Sequence, residues 1–222
     1  MTPYYQDELV TIWLGDCRDL LPSIEADVIV TDPPYGIGYS PGGGGRGFRS
    51  TGPPTIRKSF VGTDVVRGDS GPFDPAPILA LGRPTVLFGG NHYADRLPPS
   101  PTWLVWDKRD GLPRNDFADC EMAWTNLGGP ARLFRHRWSG LTKDSERGVR
   151  RLRPTQKPVA LMRWVLERCP PGTILDPYIG SGSTLVAAKS LNRHAIGIEI
   201  EERYCEMAAT RCSQGVLGLE SA

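Results

Sequence analysis

The chain has 222 residues, 23% of them charged and 39% hydrophobic, with a formal net charge of +1. This length suits one large α/β domain with long loops, and the near-zero charge means that affinity for nucleic acid has to come from local basic patches. Its five cysteines form no C-x-x-C pair, which indicates reduced thiols in an intracellular protein. The start has no basic-then-apolar signal and no apolar run approaches about 18 residues, so we expect neither secretion nor membrane spanning.

The first residues predict a strand, a helical turn and a second strand. Val10–Leu14 is a β-rich run that ends at Gly15-Asp16, and Cys17–Leu21 makes a short helical turn. Residues 27–31 then form an apolar strand that leads directly to Asp32.

A long basic loop is predicted at about 36–72. Four consecutive glycines at 42–45 and the Pro53-Pro54 pair do not fit regular structure, and Arg and Lys side chains add positive charge. A loop of this length in a compact domain is usually functional or disordered. We expect it to belong to a single domain over 1–222, which carries a second basic insertion at about 130–153.

The middle of the chain predicts a short helix near Ala76–Leu81 and then three strands. The strands are expected at Thr85–Phe88, Thr102–Asp107 and Glu121–Trp124. From Ala131 to Lys157, nine Lys or Arg residues accompany two acids, and they define the second basic insertion.

The last third of the chain alternates clearly between helix and strand. The predicted elements are helix Val159–Arg168, strand 173–175, helix Ser183–Leu191, strand Ala195–Ile200 and helix Glu201–Cys212. This alternation is typical of βαβ units around a parallel sheet. The predicted fold class is therefore α/β, with a doubly wound and mostly parallel sheet.

A glycine-rich peptide follows the strand at 173–175 and runs into a helix. Its Gly-Ser-Gly turn at 180–182 lets the backbone approach a ligand and presents unpaired N–H groups at the helix start. Glu199 ends the next strand, where a carboxylate can accept hydrogen bonds from both hydroxyls of a ribose. These features predict a nucleotide-like cofactor.

S-adenosylmethionine is favoured over a dinucleotide as this cofactor. The dinucleotide fingerprint needs a third glycine three residues after the second, and Leu185 stands there. Asp176, just before the turn, suits a cofactor with an ammonium group better than one with phosphates. A nicotinamide dinucleotide stays the alternative, and it would make the protein an oxidoreductase.

The peptide Asp32-Pro33-Pro34-Tyr35 carries groups that can activate the exocyclic amine of a base. Such an amine is a poor nucleophile because its lone pair is delocalised into the ring. The Asp32 carboxylate and the Pro33 carbonyl can accept its two N–H groups and offset the positive charge that develops on nitrogen. Pro34 fixes the backbone and Tyr35 offers a ring for stacking. Because both peptides follow parallel strands, we expect them to face one another across one cleft.

These motifs resemble those of the amino-methyltransferases of DNA, which methylate adenine N6 or cytosine N4. Thr31–Gly36 resembles their catalytic motif and Asp176–Thr184 their cofactor motif, and the order of the two is similar to the circularly permuted branch. Thr155–Pro158 resembles the segment that precedes the cofactor motif there, and Gly197–Ile200 resembles the ribose-binding strand end. The resemblance implies the fold of S-adenosylmethionine-dependent methyltransferases, with S-adenosylhomocysteine as the product of the cofactor.

The resemblance also implies roles for single residues. Asp16 would reach the adenine amine of the cofactor, and Glu199 would bind its ribose. Its methionine part would be held by residues of the cofactor motif: Asp176, Gly180, Gly182 and Thr184. Tyr178 stands where the family usually has Phe and keeps a ring near the sulfonium. Asp rather than Ser at position 32 favours adenine N6 over cytosine N4.

DNA is the partner that this resemblance implies. A base in a duplex has to be flipped out at a cost of a few kcal/mol, which basic loops offset by binding phosphates. The candidate DNA-binding residues lie in the two basic segments: Arg46, Arg49, Arg57, Lys58, Arg132, Arg135, Arg137, Lys143, Arg147, Arg150 and Arg151. We expect a cytoplasmic enzyme of a prokaryotic or phage-infected cell, as in restriction–modification, whereas a homodimer and a partner nuclease stay open. No Cys/His cluster has metal-ligand spacing, so no metal is expected.

Two other functions stay open from the sequence. A near rival methylates another planar amide or amine, such as a glutamine side chain or an RNA adenine, although the glycine-rich loop and the arginine clusters favour nucleic acid over protein. A rival of another class is a catalytically silent DNA-binding module that keeps the fold. The intact Asp32 and Tyr35 speak against that rival.

Overall fold

The computed structural model describes residues 2–38, 66–111, 118–139, 142–147, 152–153 and 155–214. The predicted loop at about 36–72 therefore lies mostly outside the described residues, as does part of the basic insertion at about 130–153. Within these ranges, no helix is long and apolar enough to cross a membrane. All five cysteines are free thiols.

Eleven strands and five α-helices are formed by the described residues. The strands are β1 (Tyr5–Gln6), β2 (Val10–Leu14), β3 (Val28–Thr31), β4 (Thr85–Phe88), β5 (Trp103–Asp107), β6 (Cys120–Thr125), β7 (Arg132–Arg135), β8 (Trp138–Ser139), β9 (Thr142–Lys143), β10 (Ile174–Asp176) and β11 (Ala195–Glu199). The helices are α1 (Cys17–Leu20), α2 (Ala76–Leu79), α3 (Val159–Leu166), α4 (Ser183–Ser190) and α5 (Glu202–Ser213).

Nine of these strands form one sheet in the order β1-β2-β11-β10-β3-β4-β6-β5-β7. The five strands from β2 to β4 in this order are paired in parallel. β6 runs antiparallel between β4 and β5, and β7 is parallel to β5. The prediction of a mostly parallel sheet is therefore confirmed, and β8 and β9 form a separate hairpin.

Helices cover both faces of this sheet, because side chains along a buried parallel strand point alternately to either side. On one face, Val28 and Val30 of β3 belong to a core cluster that includes α3, α4 and α5. On the other face, Ile29 belongs to a second cluster with Leu20 of α1 and Ile78 of α2. This arrangement confirms the doubly wound α/β architecture.

Most predicted elements coincide with observed ones to within two residues. The sequence did not predict β7, β8 and β9, which lie inside the basic insertion. In β7, only Phe134 is partly buried, while its other side chains are exposed, so the strand has no alternating apolar face to reveal it. Its pairing with β5 is a non-local contact that composition does not encode.

Candidate active site

The two sequence motifs meet at the carboxyl edge of the sheet. Asp32 directly follows β3, and the glycine-rich turn follows β10, which pairs in parallel with β3. The hydroxyl of Thr31 donates to Asp176 Oδ1 at 2.6 Å, which joins the two strand ends through buried side chains. The two peptides therefore lie at neighbouring strand ends of the sheet, as a shared cleft requires, and the cleft itself stays a prediction.

A buried lysine holds the carboxylate of Asp32. Lys157 Nζ donates to Asp32 Oδ2 at 2.6 Å and to the Tyr35 hydroxyl at 3.2 Å, while Tyr35 donates to Asp32 Oδ1. Burial and the nearby Asp32 carboxylate raise the pKa of Tyr35 well above its usual value, so its phenol is protonated. Both oxygens of Asp32 thus have a donor from the protein.

A second carboxylate completes this cluster. Glu121, at the start of β6, lies with Oε2 at 3.1 Å from Lys157 Nζ and with Oε1 at 3.0 Å from Lys108 Nζ. Burial acts to raise the pKa of Glu121, but Lys157 and Lys108 lower it to about 2. Neither Lys157 nor Glu121 was assigned a role from sequence. Only the Thr155–Pro158 motif gave a signal for Lys157, and nothing local marked Glu121.

Contacts to its own ring and to the backbone that follows it hold Tyr35 in place. Its ring stacks on His92 with centroids 5.1 Å apart. A side chain at Gly89, which follows β4 with φ near 70°, would collide with that ring. Gly36 N, the next backbone donor, binds Asp69 Oδ1 at 2.7 Å. Asp69 therefore ties the chain beyond residue 65 to the end of the catalytic peptide.

The glycine turn forms a cradle that has no room for side chains. Gly180 and Gly182 have φ of 50° and 80°, in the left-handed region that glycine tolerates best. A Cβ at Gly182 would lie 2.8 Å from Cβ of Ala208, and one at Gly180 would collide with the guanidinium of Arg153. The contact with Ala208 therefore requires glycine at 182, whereas at 180 the left-handed backbone favours it.

Glu199 lies at the end of β11, beside this turn, as the sequence predicted. Its Oε2 accepts from Gly180 N at 2.9 Å, and its Oε1 accepts from the backbone N–H groups of Ile200 and Glu201 at 3.0 Å. Burial raises the pKa of Glu199 although these N–H groups oppose the shift. A carboxylate has about four lone-pair sites, so capacity remains for further donors.

The other side chains predicted to bind the cofactor also lie at this edge of the sheet, and their partners differ: Asp16, Asp176, Tyr178 and Thr184. Asp16 caps α1 and pairs with Arg18 at 2.5 Å. Asp176 is fully buried and accepts from Thr184 Oγ1 at 2.5 Å and from Tyr178 N at 3.0 Å. The Tyr178 ring packs edge-on against Phe73. Asp176 thus supports the turn through internal hydrogen bonds.

Comparisons with known proteins agree with this arrangement. A family model described as DNA methylase, for N6 and N4 methyltransferases, matches residues 101–210. The type II methyltransferase M.ScaI of Streptomyces caespitosus is 28% identical over 255 aligned positions, which cover 94% of this chain and 83% of that protein. The predicted resemblance to the DNA amino-methyltransferase family is therefore confirmed.

Solved structures of this family have the same fold. The cytosine-N4-specific PvuII DNA methyltransferase superposes with a TM-score of 0.60 at 13% identity, covering 94% of this chain and 88% of that one. The M1.HpyAVI–SAM complex superposes with a TM-score of 0.54 at 21% identity, covering 91% and 98%. At this level of identity the likeness shows the α/β methyltransferase fold alone.

Only some of the predicted DNA-binding residues lie within the described part of the chain. Arg132 and Arg135 are exposed on the edge strand β7, and Arg147 is exposed after β9. Arg137 pairs with Asp144 at 2.9 Å, and Lys143 lies over the ring of Trp138. Six further candidates lie outside the described residues: Arg46, Arg49, Arg57, Lys58, Arg150 and Arg151.

The buried Asp176 gives this methyltransferase a pH-dependent stability. Burial raises its pKa to about 6 although Thr184, Thr31 and the Tyr178 N–H donate to it. The folded protein thus binds more protons here than the unfolded chain, and the contribution of Asp176 to stability falls as pH rises from about 4 to about 6. We expect this loss, about 3 kcal/mol, to be absent in Asp176→Asn.

Urea unfolding of both proteins at pH 4, 5, 6 and 7 measures this difference. Asp95→Asn, which removes an exposed carboxylate, is the matched control and should follow the wild type. Parallel stability curves for the wild type and Asp176→Asn would show that the buried carboxylate does not titrate in this range.

Proposed function

We propose that this chain transfers a methyl group from S-adenosylmethionine to the exocyclic amine of a flipped-out DNA base, with adenine N6 as the target. The observation that carries the proposal is the placement of Asp32 next to the glycine cradle, on neighbouring parallel strands. Asp rather than Ser at position 32 favours adenine over cytosine N4, which is the alternative target. The chain order, Asp32 before the cradle, fits the circularly permuted branch.

The residues around the cradle fit S-adenosylmethionine. Glycine at 180 and 182 lets the turn pass close to Arg153 and Ala208, and the backbone of this turn would contact the methionine part. Glu199 would bind the ribose, while Asp16, Asp176, Tyr178 and Thr184 would complete the site. When bound, the cofactor supplies an electrophilic methyl group on a sulfonium.

The catalytic peptide would activate the amine by accepting its hydrogens. The Asp32 carboxylate and the Pro33 carbonyl accept the two N–H groups, which favours a localised lone pair and stabilises positive charge on nitrogen. Tyr35 supplies an aromatic surface for the base, held in place by His92. The methylated amine then loses its proton, so no residue has to remove one before attack.

DNA would contact the exposed basic residues of the second insertion. Arg135 lies at the end of β7, whose pairing with β5 puts it at the same edge of the sheet as Asp32. Exposed Arg132 and Arg147 add positive charge on the same segment. Such contacts position the duplex without reading sequence, and they offset the cost of base flipping.

The test is methyl transfer by the purified protein. Unmethylated DNA of mixed sequence is incubated with methyl-labelled S-adenosylmethionine, and the digested nucleosides are separated. We expect label in N6-methyladenine. Label in N4-methylcytosine would select the alternative target. Label in neither nucleoside, or thermal stabilisation by NAD but not by S-adenosylmethionine, would contradict the proposal.

A further inference from the structure

The ammonium of Lys157 contacts more polar groups than a single ion pair would provide. Its side chain is only 8% exposed, yet its ammonium lies within 3.2 Å of three polar groups: Asp32 Oδ2, Tyr35 Oη and Glu121 Oε2. These groups come from two separate segments, the catalytic peptide after β3 and the start of β6. Burying a lysine is costly unless it is paired, so this ammonium is fully committed to the cluster around Asp32.

The backbone of Lys157 is fixed by the cofactor turn. Ser183 Oγ, in the first residue of α4, donates to the Lys157 carbonyl at 2.8 Å. Arg211 of α5 in turn lies 3.2 Å from Ser183 Oγ and donates to the Ser181 carbonyl at 2.7 Å. Lys157 therefore bridges the glycine cradle, through its backbone, to the Asp32 carboxylate, through its side chain.

The charges explain why a cation is needed at this point. The carboxylates of Asp32 and Glu121 both contact the same nitrogen, so they lie at most about 6 Å apart. Two carboxylates this close repel each other strongly unless a cation lies between them. Because Lys157 is shared between the two carboxylates, it neutralises the charge of Asp32 only in part, which suits an amine that becomes positive during methyl transfer.

We propose that Lys157 is a positioning residue: shared between Asp32 and Glu121, its ammonium holds the Asp32 carboxylate in place and aims it at the target amine. This inference rests on the proposed function. Glu121 acts through Lys157 by sharing its charge, which leaves Asp32 with enough negative charge to stabilise the methylated nitrogen. Lys108 only contacts the far oxygen of Glu121.

Three variants and one control test this inference in the methyl-transfer assay, with kcat and cofactor Kd measured separately. We expect Lys157→Met to lower kcat about 100-fold with cofactor Kd within threefold, because Asp32 then loses the cation that positions it and is repelled by Glu121. Adding Glu121→Gln to this variant removes the second carboxylate and should restore kcat about tenfold. Glu121→Gln alone should lower kcat about tenfold, since Lys157 then neutralises Asp32 alone.

Lys189→Met is the matched control, because Lys189 pairs with Asp7 and not with this cluster, and it should keep kcat within threefold of the wild type. The inference is overturned if Lys157→Met keeps wild-type kcat, if its cofactor affinity falls in step with kcat, or if the double variant is no faster. If Lys157→Met does not fold, Glu121→Gln decides the question, and a wild-type kcat in that variant overturns the inference. A wild type without methyl transfer refutes the proposed function instead, so the two failures are distinct.

Discussion

Replacing Asp32 by alanine is expected to lower kcat for DNA methylation about 1,000-fold, or about 4 kcal/mol, because the amine loses its charged acceptor. Cofactor affinity should stay within a few-fold, since the glycine cradle follows a different strand, β10. Steady-state kinetics give kcat, and calorimetric titration gives the cofactor Kd.

Asp32→Asn is the matched control for this experiment. The amide keeps the shape of the side chain and one acceptor oxygen but loses the charge, so its kcat should lie between those of the wild type and Asp32→Ala. An equal loss of kcat and of cofactor affinity in Asp32→Ala would mean that this residue supports the fold instead of the reaction. Thermal unfolding of both variants separates the two cases.

Replacing Glu199 by alanine has the second large expected effect, on cofactor binding. A hydrogen bond to a charged group contributes about 1.5–3 kcal/mol, so we expect cofactor affinity to fall about 10- to 100-fold. Part of this loss comes from Gly180, whose N–H is held by Glu199 Oε2 at 2.9 Å. At saturating cofactor, kcat should stay within a few-fold of the wild type, because Glu199 makes no described contact with Asp32.

Glu202→Ala provides the control for this measurement. Glu202 is exposed at the start of α5, three residues beyond Glu199, so its removal tests a charge nearby without touching the cradle. Its cofactor affinity should match that of the wild type. If calorimetry finds unchanged affinity in Glu199→Ala as well, the ribose assignment is wrong.

Local sequence was sufficient to predict the strands that carry the site. The apolar run 28–31 and the glycine turn at 180–182 are short-range signals, because burial on both faces and left-handed backbone each need particular residue types. The position of Glu199 followed from the same alternation of strand and helix. These predictions needed no knowledge of which strands are neighbours in the sheet.

The structure of the basic insertion could not be predicted from local sequence patterns. Its sequence predicts charge but not β7, whose place beside β5 is set by pairing between distant residues. β6 is a further example, since it was predicted as a strand but its antiparallel insertion between β4 and β5 was not. Strand order depends on which strand faces pack together, and this is set by packing throughout the core.

The sequence by itself determined the fold class, the family and the two peptides that meet at the sheet edge. Only the tertiary structure decided that Lys157 and Glu121 surround Asp32, which precedes Lys157 by 125 residues in the chain. The physical reason is that an ion pair across such a separation has no local pattern. It exists only because the carboxyl ends of β3 and β10 and the start of β6 reach the same edge of one sheet.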